Sequence, residues 1–110
     1  MVEVIVKRDS KQEISSFELS GHADSGPYGH DLVCAAVSAV SFGTVNSIIS
    51  ICEVEPEIEQ GAEGGYLKMT LPPKMDEQAY DQAQTLLEGM VVTLQTIERD
   101  YGEYIKLSSE

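Results

Sequence analysis

The sequence of 110 residues contains no tryptophan, only two phenylalanines, and only seven lysine and arginine residues against 19 aspartate and glutamate residues. The formal net charge of −12 repels phosphate backbones, so it argues against nucleic-acid binding and favours a basic protein or peptide as partner. Hydrophobic residues make up 42% of the chain, which is too many for a disordered protein, and the length is too short for two separate cores. We therefore expect a single domain over residues 1–110.

Segments that would export or anchor the chain are also missing. No apolar run approaches the ~20 residues that a bilayer-spanning helix needs. The first residues, Met1 to Val4, have neither a basic region nor the small-residue cleavage site of a secretory signal. We expect a cytoplasmic protein.

Cysteine is scarce, with Cys34 and Cys52 as its two positions. Both fall within one predicted helix, where 18 residues at ~1.5 Å each would separate them by ~27 Å. A disulfide needs Cα atoms within ~7 Å, so both thiols should be free. The chain has no Cys-x-x-Cys motif, so neither a thioredoxin-type pair nor a zinc knuckle is supported.

Alternating apolar and polar residues predict a hairpin at the start of the chain. The first strand carries Val2, Val4 and Val6, residues 9–12 form the turn, and residues 14–20 form the second strand. Phe17 and Leu19 should point inward from that strand. Residues 22–30 contain two glycines and a proline without apolar periodicity, which is typical of a loop.

A helix is predicted from Asp31, as its cap, to about Ile51, because a cap carboxylate accepts backbone N–H groups of the first turn. Its expected apolar stripe comprises Val33, Val37, Val40, Thr44, Ile48 and Ile51. Next comes a strand over residues 53–60, which Pro56 indicates is at a sheet edge or bulged. A turn over 61–65 follows, and then a strand whose inner residues are Leu67, Met69 and Leu71.

The second helix should begin near Asp76 and end at Gly102 in a left-handed conformation, followed by a strand over residues 104–108. Its stripe comprises Ala83, Leu87, Met90, Leu94 and Ile97. The element order ββαββαβ predicts an α/β (α+β) fold, a two-layer sandwich with a mostly antiparallel sheet and two helices on one face.

The two histidines of the chain, His22 and His30, both lie shortly before Cys34. Cys34 falls in the first turn of the predicted helix, where unpaired N–H groups and the helix dipole stabilise a thiolate. A thiolate beside a general base suits acyl-transfer chemistry. We favour His22 as that base because it follows a strand, so the sheet can fix its position.

Ordinary structural roles compete with this interpretation. A cysteine in an alanine-rich helix is commonly a small buried apolar group, and a loop histidine is commonly solvated. Asp31 can be a plain helix cap, or a cap that also orients an imidazole. Ser38 lies one turn beyond Cys34 on the same face, but its hydroxyl can simply bond a helix carbonyl. Spacing alone leaves these alternatives open.

Three other functional classes remain open at this stage. His22, His30, Cys34 and perhaps Asp24 offer ligand types that zinc accepts, although structural zinc sites usually show two short ligand pairs. A non-catalytic acidic domain could bind a basic protein without cutting it. A redox sensor would need an exposed, reactive Cys34 and has no obvious second cysteine to resolve it.

The segments Gly21-His22-Ala23 and Gly29 to Ser38 resemble the signature of the Prp family, the bacterial ribosomal-processing cysteine proteases. The pattern G-H-A followed by G-x-D-x-V-C-A-A-x-S is long and mixes polar with packing positions. The resemblance extends to chain length and to the order of the elements.

The resemblance implies a cysteine endopeptidase that removes the N-terminal extension of large-subunit ribosomal protein number twenty-seven during ribosome assembly. It implies Cys34 as nucleophile, His22 as general base, and supporting roles for Asp31 and Ser38. It also implies a homodimer and no cofactor or metal ion. A mobile loop that covers the site and contacts substrate would comprise Gly21, Gly26, Pro27, Tyr28, Gly29 and His30.

Acidic residues concentrate in the second half of the chain. Glu53, Glu55, Glu57 and Glu59 alternate along the predicted edge strand. They could attract a basic substrate, or they could be only the solvated face of a strand whose charges deter edge pairing.

Overall fold

The computed structural model describes residues 1–22, 31–62 and 65–110. The elements follow the predicted order ββαββαβ. They are β1 (Val2–Arg8), β2 (Ile14–Ser20), α1 (Leu32–Cys52), β3 (Glu57–Gln60), β4 (Tyr66–Thr70), α2 (Glu77–Tyr101) and β5 (Ile105–Ser109). Most of the predicted loop, and residues 63–64 of the predicted turn, lie outside the described residues.

The five strands form one sheet in the order β3-β4-β2-β1-β5. All neighbours are antiparallel except β1 and β5, which are parallel. Val4 lies opposite Leu19, and Leu19 lies opposite Leu67, so a row of buried side chains crosses three strands. The helices cover this face and share one core with it. The predicted fold class is confirmed.

The buried side of α1 is rotated from the predicted stripe. Val33, Val37 and Ile48 are buried as expected, but Val40 and Thr44 are only half-buried and the predicted Ile51 is exposed. Ser41, Val45 and Cys52 are buried in their place. The reason is the composition of α1, which has apolar or small residues on every side and no charged residue. The spacing of its apolar residues therefore hardly indicates which side of the helix is buried.

The same composition overturns the expectation that no segment could span a bilayer. α1 has 21 residues, and a window within it has a mean hydropathy of 1.8, which by length and composition is enough to cross a membrane. Counting uninterrupted apolar runs missed it, because scattered serines lower the mean hydropathy only slightly. In the fold α1 packs against α2 and contributes its buried side to the core.

Two helix ends and one strand differ from the predictions. β3 begins at Glu57 rather than at residue 53, because Glu53 ends α1 in a left-handed conformation with φ 54°. Pro56 is buried just before the strand, and β3 does lie at the sheet edge. Gly102 ends α2 in a right-handed conformation with φ −60°, so the predicted left-handed stop was wrong.

Two side chains of α2 fasten the β1–β2 hairpin to the helix layer. The Gln84 amide bonds both backbone groups of Ile14, accepting from its N–H at 2.8 Å and donating to its carbonyl at 2.7 Å. One turn later, the Arg8 guanidinium donates to both carboxylate oxygens of Glu88 at 2.6 and 2.9 Å. These hydrogen bonds fix the position of the hairpin relative to α2.

Loss of the Glu88 charge should weaken this attachment in a pH-dependent way. Hydrogen bonds from Arg8 lower the pKa of Glu88, so its stabilisation is present above the unfolded pKa of about 4.3 and is lost as pH falls through the lower folded value. Glu88→Gln should reduce the free energy of unfolding at pH 7 by less than about 1 kcal/mol, because the pair is partly exposed.

Urea unfolding at pH 7 and at about pH 3 measures this difference, with the exposed Glu103→Gln as control. The gap between wild type and Glu88→Gln should narrow at the lower pH, because Glu88 becomes neutral, like the glutamine, as pH falls towards its lowered folded pKa. An equal gap at both pH values would contradict the assignment.

Candidate active site

A cavity of about 210 Å³ opens where the end of β2 and the start of β4 meet the first half of α1. His22, Cys34 and Ser38, all predicted from sequence, line it together. Its remaining described lining residues are Val2, Leu19, Gly21, Val37, Phe42, Gln60, Gly61, Gly65, Tyr66 and Leu67. A thiol, an imidazole and a hydroxyl therefore share one largely apolar recess.

Asp31 places Cys34 in this cavity by starting α1. Its side chain accepts from the Cys34 N–H at 2.9 Å, and its carbonyl accepts from the Ala35 N–H at 3.1 Å. The predicted cap is confirmed, and the half-buried Cys34 lies in the first turn. Both of these amides are already occupied, so they are not open donors for an oxyanion.

His22 reaches the cavity through two glycines in left-handed conformations. β2 ends at Ser20, and the Gly21 N–H then donates to the Gly65 carbonyl at 2.9 Å. Gly21 has φ 90° and Gly65 has φ 73°. The His22 ring lies over Gly65, where an added Cβ would be 2.8 Å from Nε2. The imidazole is therefore supported by a backbone position that only glycine fits.

Three further lining residues of the cavity, Tyr66, Gln60 and Gly61, were not predicted from sequence. The Tyr66 hydroxyl donates to Glu18 at 3.4 Å, and burial, with Glu18 and Glu59 nearby, raises the pKa of Tyr66. The phenol therefore stays protonated and acts as a hydrogen-bond donor rather than a base. Gln60 and Gly61 complete this side. No short motif marks these residues, because they meet His22 only through strand pairing.

Cys52, the second thiol, is buried away from the cavity, in contrast to Cys34. Cys52 is 6% exposed at the far end of α1, and burial, reinforced by Asp76, raises its pKa. Both cysteines are free, as expected. Cys34 is therefore the more accessible of the two thiols and the one that borders the cavity.

The hydroxyl of Ser38 lines the cavity one helical turn beyond Cys34. Within residues 1–22, 31–62 and 65–110, it makes no hydrogen bond to a helix carbonyl, unlike Thr44, which donates to Val40 at 2.7 Å. The structure thus brings Ser38 to the site that also holds Cys34.

Several predicted site residues lie outside the described part of the chain. They are Gly26, Pro27, Tyr28, Gly29 and His30 of the predicted mobile loop, and Asp24 of the alternative metal site. Among the described residues, no three histidine, cysteine or acidic side chains cluster as metal ligands would. Gly21 of the predicted loop is described, and it bonds Gly65 as above.

Comparison with known proteins gives consistent relatives over the whole chain. The family model described as Cysteine protease Prp matches residues 1–106. The ribosomal processing cysteine protease Prp of Bacillus subtilis is 42% identical over 109 residues, covering 99% of this chain and 97% of the relative. Its namesake from Staphylococcus aureus strain Mu50 is 39% identical over 108 residues, covering 98% of each chain.

Solved structures agree with this relationship. The crystal structure of a ribosomal processing protease Prp from S. aureus with a covalently linked product peptide superposes with a TM-score of 0.90 at 37% identity, covering 100% of both chains. A second structure of the S. aureus protease, with a substrate peptide, gives a TM-score of 0.85 at the same coverage. The chain therefore belongs to the Prp family and is a cysteine protease.

Proposed function

We propose that this cysteine protease removes the N-terminal extension of large-subunit ribosomal protein number twenty-seven during ribosome assembly. The observation that carries the proposal is the shared cavity of Cys34 and His22, with the thiol in the first turn of α1. The relatives named as ribosomal processing proteases support the class of substrate. A net charge of −12 suits a basic ribosomal precursor.

In the proposed mechanism, His22 takes the proton of Cys34 and the thiolate attacks the scissile carbonyl. The C–N bond breaks as the imidazolium protonates the leaving amine, which leaves a thioester on Cys34. Water, deprotonated by His22, then hydrolyses the thioester and restores the thiol. This sequence needs neither a metal ion nor a cofactor.

Supporting residues act through position in this mechanism. Asp31 fixes the turn that presents Cys34, and Ser38 offers a hydroxyl to the bound peptide. The backbone N–H groups of Cys34 and Ala35 already donate to Asp31. We therefore propose that other hydrogen-bond donors stabilise the oxyanion that forms when the thiolate attacks the scissile carbonyl. The predicted mobile loop of Gly21, Gly26, Pro27, Tyr28, Gly29 and His30 is proposed to close over the substrate.

The direct test mixes the purified protein with the extended ribosomal precursor and measures product masses. We expect two fragments, one with the mass of the removed extension. A stable complex with an intact precursor would instead favour a non-catalytic acidic binding domain. Cleavage of unrelated basic proteins at equal rates would contradict the proposed substrate.

Gly65→Ala should impair cleavage without removing any functional side chain. The new Cβ would meet the His22 ring at 2.8 Å, and the positive φ of 73° adds backbone strain. Displacing a catalytic group by about 1 Å can cost about 100-fold in rate. Gly89→Ala is the matched control, because nothing lies within 4 Å of an added Cβ there.

The measurement is kcat/KM on the precursor, with thermal unfolding recorded for both variants. We expect Gly65→Ala to lose most of its activity at a temperature where it remains folded, and Gly89→Ala to keep wild-type activity. Full activity of folded Gly65→Ala would show that the packing of the His22 ring over Gly65 is not needed for catalysis.

We also propose a homodimer that uses the exposed side of α1. Leu32 is 74% exposed and Ile49 39% exposed, and the helix carries no charge although the chain is strongly acidic. Two copies can meet along such a face without opposing carboxylates. The small Ala39 and Gly43, also exposed there, would let two helices approach closely.

Ala39→Glu should dissociate this dimer, because it places a carboxylate on the uncharged face of each copy. Light scattering coupled to size-exclusion chromatography should report the dimer mass for wild type and the monomer mass for Ala39→Glu. Gln95→Glu, an exposed position on α2, adds the same charge as a control. An unchanged dimer in Ala39→Glu would place the interface elsewhere.

A cytoplasmic location completes the proposal. Its support is the pair of free cysteines, which a reducing compartment maintains. Cell fractionation with an antibody against the chain would test it, and recovery in a membrane or secreted fraction would contradict it.

A further inference from the structure

Among residues 1–22, 31–62 and 65–110, no strand pairs with the outer edge of β3. The Gly61 N–H donates to the Tyr66 carbonyl at 3.2 Å, which makes these two residues a bonded pair at the end of the β3–β4 ladder. Bonded and non-bonded pairs alternate along antiparallel strands. The N–H and C=O groups of Ile58 and Gln60 therefore point away from β4, towards the free edge.

This edge leads into the catalytic cavity. Gln60 and Gly61, at its end, line the same cavity as His22 and Cys34. An extended peptide laid along β3 would therefore continue directly to the thiol. Its side chains would alternate between the two faces of the sheet, as those of β3 do.

The two faces of β3 offer different surroundings. Ile58 and Gln60 lie opposite the buried Met69 and Leu67, on the side covered by the helices. Glu57 and Glu59 are exposed on the other side. One face therefore suits apolar side chains and the other suits basic ones.

Charge selects which strand can be added. The register places a single lysine, Lys68, between Glu59 and Glu18, and Glu57 lies opposite the uncharged Thr70. Glu59 lies near Tyr66, which also lines the cavity, so the exposed face of the sheet beside the cavity is acidic. A second acidic copy of this edge is repelled, whereas a basic strand is attracted.

We infer that the free edge of β3 receives the substrate as an added strand, with basic side chains over Glu57 and Glu59 and apolar ones on the helix side. Backbone hydrogen bonds to Ile58 and Gln60 supply affinity, and the alternation supplies specificity. The inference rests on the proposed function, because it names how the substrate of that same site is held.

A set of substrate peptides with single N-methylated amides tests the backbone contacts. Methylation is placed at successive residues, omitting the two that flank the scissile bond. Amides that face β3 should raise KM by about tenfold when methylated, and the amides between them should have little effect. We therefore expect KM to alternate with a period of two residues while kcat stays constant.

The charge contacts are tested with Glu57→Gln/Glu59→Gln. This double variant should raise KM for a peptide with basic residues severalfold and leave KM for its uncharged analogue unchanged. Asp81→Asn/Glu103→Gln, on α2 and beyond it, removes the same charge at exposed positions away from the cavity and should leave both KM values at wild type.

The outcomes separate the two proposals. If wild-type protein cuts none of these peptides and not the full precursor, the proposed function fails. If it cuts them but KM shows no alternation, or both double variants behave alike, the added-strand inference fails while the proposed function stands.

Discussion

Cys34→Ala is expected to lower cleavage of the ribosomal precursor by about 10⁴-fold or more, the scale on which loss of a nucleophile acts. Cys34 is half-buried at the cavity in the first turn of α1, whereas Cys52 is buried and its pKa is raised. Cys52→Ala is therefore the matched control. It should retain activity while losing some stability, because it removes a sulfur from the core.

Two readouts check this prediction. Precursor cleavage should disappear in Cys34→Ala and persist in Cys52→Ala, and circular dichroism should show that both variants are folded. In native wild type, mass spectrometry after brief iodoacetamide treatment should find one alkyl group, on Cys34. Cleavage by folded Cys34→Ala would remove the assignment, and residual activity in Cys34→Ser would measure how far the site activates a weaker nucleophile.

His22→Ala is expected to lower kcat by between about 10² and 10⁴-fold, the usual contribution of a positioned general base. The side chain lies at the surface end of the cavity over Gly65, so its removal leaves no hole in the core. Stability should therefore change little. The loss should appear in kcat more than in KM, because the imidazole moves a proton rather than holding the peptide.

His30→Ala is the informative comparison, since His30 is the second histidine that the sequence places shortly before Cys34, and His22 was favoured as the base. Single-turnover cleavage and the rate of Cys34 alkylation should both fall in His22→Ala, because both depend on forming the thiolate. A larger loss of both rates in His30→Ala would transfer the role of base to that residue.

The sheet and the outline of the site followed from local sequence patterns. Val2, Val4 and Val6 occupy alternate positions of the predicted first strand, and they are buried because one face of the sheet is covered by the helices. Asp31 caps α1 because a carboxylate satisfies the first amides of a helix. These features depend on residues that are close together in the chain, and sequence patterns predict such local features well.

Features that depend on distant residues were missed. The rotation of α1 is set by packing against the sheet and α2, and an uncharged helix carries little information about it. The support of His22 by Gly65 arises because β2 pairs with β4, which brings together residues far apart in sequence. The start of β3 was misplaced because Glu53 adopts a left-handed conformation that glycine more commonly occupies.

The parallel pairing of β1 with β5 has a consequence for how the enzyme is made. Val2 lines the catalytic cavity, and its N–H donates to the Tyr104 carbonyl at 2.8 Å, about a hundred residues later in the chain. This contact cannot form before Tyr104 has been synthesised. A nascent chain on the ribosome therefore cannot complete this wall of the cavity until β5 has emerged, and we expect proteolytic activity only after synthesis has passed that strand.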